Sequence, residues 1–263
     1  MKLYKYVPPQ RVDILENGKI AFTPPGRFKD PFEFRPELAE KTLRVLLKDT
    51  IKQHQSELIS GVRGMSARQL KRARRALLKT ADKDGVLEKT RDSFTKTIAS
   101  RADRDFGLLC LSSAPDDNLM WYHYADGHRG FVVEFDSEQQ EFRKVGKPWK
   151  VEYVPSQPVF DHRVGNIDFF RLKPNYLDFE KEYRIIRPLK ECMVDKASGR
   201  EPLYFWPLPL TCIKAVYLGH RLEWEFRNRL TKVLQNADVK RFDVSPSREN
   251  YKLTFREIPL SGS

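Results

Sequence analysis

Cysteine is scarce: the 263-residue chain has three, Cys110, Cys192 and Cys212. They are odd in number, widely separated and free of any C-x-x-C spacing. That excludes a disulfide framework and a cysteine-based zinc site, and predicts three reduced thiols in the core. No run approaches the roughly 18 apolar residues that a membrane-spanning helix needs, and the start, MKLYKYVPPQ, lacks the apolar stretch of a secretory signal. A soluble, cytoplasmic protein with no membrane partner is expected. The standard catalytic signatures are missing too: there is no Walker loop, no G-x-G-x-x-G, no H-E-x-x-H and no G-x-S-x-G. No internal repeat is present. With 40% hydrophobic and 12% aromatic residues, the chain has ample material for a packed core and is neither disordered nor fibrous.

Acidic residues are outnumbered, 36 against 48 Lys and Arg, leaving a formal charge of +12. The surplus is local. Between Arg35 and Arg104 stand 18 Lys and Arg and 9 Asp and Glu, so this quarter of the chain carries nine of the twelve excess charges. Its apolar residues, such as Leu38, Leu43, Leu46 and Leu47, recur at helical spacing, and strand-like alternation is almost absent, which predicts a helical block. Ser66 and Gln69 form a capping-box pattern, flanked by Met65 and Leu70 as a hydrophobic staple, so a helix is expected to begin near Ala67. That helix reads RQLKRARRALLK, with Leu70, Ala73, Leu77 and Leu78 as its apolar stripe. Arg68, Lys71, Arg72, Arg74 and Arg75 could present cations to a nucleic-acid backbone, whose binding is largely electrostatic. A run of charges on a helix is more often a solvated face, and no aromatic residues are interleaved to stack bases.

The flanking parts are sheet-rich. LYKYV, GLLCLSS, GFVVEFD, KVEYV, EYRIIRP, IKAVYLG and DVKRFDV have strand length and alternating or apolar character. VDILENGKIAF reads as a short helix closed by Gly18 and followed by a second strand, and EWEFRNRLTKVLQN as a helix. The whole, residues 1–263, is expected to be one α+β domain. Its core would be a mixed, mainly antiparallel sheet, and its basic helical insertion would run from about residue 36 to 104.

Three constellations could carry chemistry. In EKEYRIIRP, strand alternation would project Glu180, Glu182 and Arg184 together, with Ile185 on the other face. A carboxylate there could bind a sugar hydroxyl, stabilise an oxocarbenium-like state or act as a base, whereas a surface strand with salt-bridged neighbours would look the same. NLMWYHYADGHRGF concentrates Trp121, Tyr122, His123, Tyr124 and His128, which could line a pocket or simply pack a turn inward. Metal binding is not expected, because His123 and His128 are five apart and no cysteine or paired carboxylate completes a set. RFKDPFEF holds an Asp-Pro turn between Phe28, Phe32 and Phe34; the phenylalanines read as structural, and Asp30 as open to a binding role.

Taken in order, LYKY, ILENGKIAF, FKDPFE, LMWYHYADGHRGF, FEKEYR and AVYLG resemble the bacterial and phage domain of unknown function 2971, over Leu3 to about Gly219. Lys29 stands where that family usually has Asn, and Tyr122 where it has a small polar residue. The layout is also similar to ADP-ribosyltransferase-like domains. This second resemblance implies a first strand at Tyr4-Lys5-Tyr6, a short helix ending at Gly18, a second strand at Ala21-Phe22-Thr23, and a catalytic glutamate at Glu182, paired with Glu180. It implies NAD as substrate, no metal, and a role as a toxin or phage-defence effector. Glu182 would bind the nicotinamide ribose, Tyr4, Tyr6, Trp121 or Tyr124 would stack the nicotinamide, and Arg184 or His123 would contact phosphate. Lys5, Thr23 and Asp30 would complete the cofactor site. A non-catalytic nucleic-acid-binding protein, using the basic helices, is the alternative.

Overall fold

A computed structural model describes residues 1–35, 37–53, 66–80, 85–160, 168–196 and 201–259. It shows an α+β fold, 38% helical and 32% strand, around a mixed, mainly antiparallel sheet. Eight strands build that sheet: β1 (Lys2–Val7), β2 (Phe106–Ser112), β3 (Phe131–Asp136), β4 (Pro148–Lys150), β5 (Glu182–Pro188), β6 (Ile213–Leu218), β7 (Lys240–Pro246) and β8 (Leu253–Ile258). They lie in the order β8-β7-β6-β3-β1-β2-β5-β4. Only β6 and β7 run parallel among these neighbours. A smaller antiparallel sheet of Lys19–Phe22, Leu203–Pro207 and Met193–Asp195 packs alongside. Thr23 and Leu108 join the two sheets by exchanging backbone hydrogen bonds of 2.9 Å.

Period-two alternation sends apolar side chains to both faces of the central strands, which is why these strands read as nearly continuous hydrophobic runs. One face carries Leu3, Val7, Leu109, Leu111, Val133, Phe135, Ile185 and Val216. It is covered by the short helix Asp13–Glu16, by Ile20 and Phe22 of the smaller sheet, and by Leu230 of the helix Trp224–Val233. The other face holds two separate apolar clusters. Tyr4, Tyr6, Trp121, Val132 and Tyr217 form one, and Phe34, Ala102, Leu108 and Phe170 the other. Between them the register places Cys110 opposite Arg184 and Ser112 opposite both Tyr4 and Glu182. A charged row thus divides the core on that face.

Between the Lys19–Phe22 strand and β2 come helices α1 (Glu40–Gln53), α2 (Ala67–Thr80) and α3 (Val86–Asp105). The expected capping box is present: Ser66 N donates to Gln69 Oε1 at 2.8 Å, and Gln69 N to Ser66 Oγ at 3.4 Å. Met65 and the side chains of Leu70, Leu77 and Leu78, the expected staple and stripe, lie outside the described residues. The block is not helical from its start, because Glu37–Leu38 pairs as a short parallel strand with Val159–Phe160. α3 docks through Ala102 and through Asp103, whose Oδ1 accepts from Gly26 N at 2.8 Å. KVEYV is not one strand: Lys150 belongs to the main sheet, and Glu152–Val154 pairs with Leu172–Pro174. The three cysteines are free; Cys192 and Cys212 are buried and Cys110 is half-buried. Among the described residues, no helix is long and apolar enough to cross a membrane.

At the end of β6 the backbone of Gly219 lies on the turn before β3, with its N–H donating to the Gly130 carbonyl at 3.0 Å. A Cβ at Gly219 would collide with the His128 carbonyl oxygen. Rigid backbone cannot yield as a side chain does, so Gly219→Ala is expected to cost about 3 kcal/mol, the upper part of the overpacking range. Urea denaturation measures it, and a loss under about 1 kcal/mol contradicts the packing described.

Candidate functional site

The charged row on the sheet is the floor of a closed ionic cluster. Glu182 and Arg184 rise from β5, Lys173 from the Leu172–Pro174 strand, Glu180 from the end of the 3-10 helix Asn175–Glu180, and Glu33 from the Asp30-Pro31 loop. Their side chains are between 0 and 6% exposed. Arg184 grips Glu182 with two hydrogen bonds of 2.9 Å, reaches Glu33 at 2.6 Å and donates to the Phe170 carbonyl at 2.9 Å. Lys173 contacts Glu182 at 3.0 Å, Glu33 at 3.1 Å and Glu180. The Tyr124 hydroxyl donates to Glu180 Oε1 at 2.5 Å. Ser112 donates to the Glu180 carbonyl at 2.7 Å, and the Glu182 N–H to the Tyr153 hydroxyl at 2.8 Å.

Three carboxylates face two cations, and the glutamates respond unequally. Burial alone would raise both. For Glu182, the guanidinium of Arg184 and the ammonium of Lys173 overcome that burial and hold the carboxyl down at about 2. For Glu180 burial prevails over Lys173, the Glu182 charge adds to it, and the pKa is raised. Lys173 is raised despite burial by the Glu182 and Glu33 carboxylates.

Of the residues singled out in the sequence, the structure gathers Glu180, Glu182, Arg184 and Tyr124. The route for Glu180 differs from the one expected. It is not on the strand; Lys181 adopts a left-handed conformation (φ 44°) that turns Glu180 back over Glu182. Nor is this a surface strand, since Ile185 packs in the main core while Glu182 and Arg184 are buried behind it. Arg184 is fully buried and committed to protein partners, which corrects its assignment to a phosphate contact. Lys5 is not part of the cluster: it alternates with Tyr4, whose face is the one shared with Ser112 and Glu182, and its Nζ donates to the Cys110 carbonyl at 3.0 Å.

The expected stacking platform is corrected as well. Trp121 has no exposed surface; its Nε1 donates to the Pro115 carbonyl at 2.8 Å and its ring stacks on His128, 5.6 Å between centroids. Tyr6 lies edge-on to Trp121 and donates to the Ala114 carbonyl at 2.7 Å. Tyr4 is buried against Tyr217, and burial together with the Glu134 carboxylate pushes its hydroxyl up to about 12. These three are core residues. Thr23 acts through its backbone alone in the bridge to Leu108. His123 is exposed, its ring 6.3 Å from Phe179. Asp30 accepts from the Phe32 N–H at 2.8 Å and from the Tyr176 hydroxyl at 3.1 Å. Arg68, Lys71, Arg72 and Arg75 are exposed on α2, and the side chain of Arg74 lies outside the described residues.

Lys173 also lines a cavity of about 250 Å³ between the Phe32–Arg35 loop and the Leu172–Tyr176 segment, closed on its other side by Val154–Pro158. Neither Lys5, His123 nor Glu182 is among its lining residues. Sequence reasoning missed Lys173, Glu33, Tyr153 and Tyr176. Glu33 alone left a trace, a charge between Phe32 and Phe34. No protein-family model, curated protein or solved structure matches the chain.

Removing Arg184 would leave Glu33, Glu180 and Glu182 buried around Lys173 as the one remaining cation of the cluster. Arg184→Ala is therefore expected to cost about 3–5 kcal/mol, whereas Arg143→Ala, which breaks the exposed pair with Glu138, should cost under about 1 kcal/mol. Glu182 also fixes a pH dependence. Its folded pKa lies below the ordinary value, so its contribution is present above about 4.5 and is lost as pH falls toward about 2. Denaturation across pH should show a steep acid limb that Glu182→Gln flattens; equal slopes in the two proteins contradict the cluster's electrostatics.

Proposed function

We propose that the chain is an NAD-consuming, ADP-ribosyltransferase-like enzyme whose chemistry is carried by Glu182 and Glu180. The observation that supports this most is the divergence of two glutamates two residues apart, one held ionised and one raised toward neutrality, in a single low-dielectric cluster. Carboxylates driven apart in this way suit the two halves of an acid–base mechanism. The motif resemblance described above points to the same glutamates.

In the proposed reaction the bond between the nicotinamide nitrogen and ribose C1′ breaks, and its electron pair leaves with the nicotinamide, which departs neutral. The Glu182 carboxylate stabilises the positive charge that develops on the sugar. An acceptor oxygen or nitrogen forms the new bond to C1′. Its proton passes to Glu180 through the hydroxyl of Tyr124, which is 44% exposed and connects the cluster to solvent. A raised pKa makes Glu180 a stronger base than an ordinary carboxylate. Glu182 is engaged by Arg184 and Lys173 in the closed cluster, so the reaction requires Lys173 to release Glu182 toward the cavity it lines.

Nicotinamide release from NAD, measured with mixed cellular RNA, DNA and protein as acceptors, tests the reading. Glu182→Gln should abolish release. Glu180→Gln and Tyr124→Phe should slow it by about 10²-fold or more, the size of a general-base contribution. Because Glu180 must be ionised to accept a proton, the native rate should rise with pH through its raised pKa, and Glu180→Gln should remove that dependence. Release unchanged in Glu182→Gln means that the mechanism is wrong.

A second reading rests on the helices. Arg68, Lys71, Arg72 and Arg75 are all exposed on α2, and α3 aligns Lys96, Arg101 and Arg104 with Ser93, Thr97 and Ser100 along one face of the helix. Cations interleaved with hydroxyls suit a phosphate backbone. Nucleic-acid binding that weakens steeply between 50 and 200 mM salt, as counterion release requires, and that drops in an Arg68→Ala/Lys71→Ala/Arg72→Ala/Arg75→Ala variant supports this role. Binding that is flat across salt excludes it.

A further inference from the structure

The geometry points to the cavity between the Phe32–Arg35 loop and the Leu172–Tyr176 segment as a binding site for a mononucleotide, with its base between Phe32 and Tyr176 and its phosphate on Arg35. This extends the NAD reading by naming where one half of that molecule is held.

Four observations carry it. First, Phe32 and Tyr176 are 59% and 58% exposed at the mouth. Large aromatic side chains left in water beside a cavity offer flat surfaces to a planar ring, and stacking on such surfaces is tolerant of ring identity. Second, both are braced. Asp30 accepts from the Phe32 N–H through one oxygen and from the Tyr176 hydroxyl through the other, tying the two sides of the mouth together. Asp30 is thus a positioning residue.

Third, the loop holds a conformation that its sequence does not favour. Phe34 has φ 55°, a left-handed backbone that a bulky side chain rarely adopts. It is fixed there by Glu33 in the ionic cluster and by its own ring, which packs edge-on to Phe28 at 5.1 Å and lies under the Arg184 guanidinium. Strain of this kind is found where a ligand clamp is preorganised. Its effect is to send Glu33 inward while Phe32 and Arg35 line the cavity.

Fourth, the charge and size fit. Arg35 is exposed, lines the cavity and forms no ion pair among the described residues, and its backbone carbonyl is held by the Gln157 side-chain amide at 2.6 Å. A guanidinium presented in this way matches a phosphate. Pockets for drug-sized ligands measure roughly 300–1,000 Å³, so a cavity of about 250 Å³, just below that range, takes one base with its sugar and not a whole dinucleotide. Lys173 lines the same cavity and bonds three carboxylates behind it, so an occupant lies next to the cluster.

Isothermal titration of the full chain with AMP, nicotinamide mononucleotide, adenosine and inorganic phosphate tests the site. We expect one of the two mononucleotides to bind, adenosine to bind at least about tenfold more weakly than AMP where AMP is the ligand, and inorganic phosphate not to compete. Phe32→Ala and Tyr176→Ala, both surface changes, should each weaken binding by about tenfold, within the range of lost stacking. Arg35→Ala should bring mononucleotide and nucleoside to the same affinity. Binding by none of the probes overturns the proposal, as does binding that is indifferent to Phe32→Ala and Tyr176→Ala while circular dichroism shows both variants folded. Binding needs no turnover, so mononucleotide binding without nicotinamide release sinks the catalytic reading alone. Release that persists in Phe32→Ala and Tyr176→Ala at unchanged KM sinks this one alone.

Discussion

Two cations enclosed with three carboxylates set the geometry of one whole side of this molecule. Arg184 and Lys173 cannot be buried without partners, because removing an ion from water costs far more than any single contact returns. Their partners come from separate places in the chain: Glu33 from a loop, Glu180 from a 3-10 helix, Glu182 from the central sheet. Satisfying the charges therefore brings a loop, a short strand, a 3-10 helix and, through Tyr124, the helix Asn118–Tyr124 into fixed register over β5. The apolar clusters on either side of this row pack against elements that the row has already positioned.

A buried ionic cluster is a poor device for stability alone, since well-packed apolar residues of the same volume often do as well. What it provides here is specification. The low dielectric that makes Arg184 demand Glu182 also separates the two glutamates into one held ionised and one shifted toward neutrality. It also anchors Glu33 firmly enough for the next residue, Phe34, to keep a left-handed backbone. Structure and chemical potential have one source, and the cavity lined by Lys173 is where the two meet the solvent.

Much of the architecture was legible beforehand. Alternating apolar runs located six of the eight strands of the large sheet, and the Ser66–Gln69 pattern located the start of α2 within a residue. The short β4 was missed except for Lys150, the first residue of the expected strand KVEYV. β8 was not assigned, although Leu253 and Phe255 alternate with Thr254 and Arg256 on this half-buried edge strand. The aromatic concentration at Trp121–Tyr124 was visible, but its direction was not. A Trp in a two-turn helix faces core or solvent according to what lies beneath it, and here Tyr6 packs edge-on to the ring and His128 stacks on it.

The sequence alone determined the α+β class, the helices of the basic block, the turn at Asp30-Pro31 and the strand that carries Glu182 and Arg184, because each is encoded by spacing within a few residues. Only the tertiary structure decided that Lys173 and Glu33 belong with Glu182, that Arg184 is sealed in protein, and that Phe32 and Tyr176 line one cavity. These pairs are separated by up to 151 positions along the chain. Nothing local records such a meeting, since the register of a folded sheet brings it about and the cost of burying an unpaired charge enforces it.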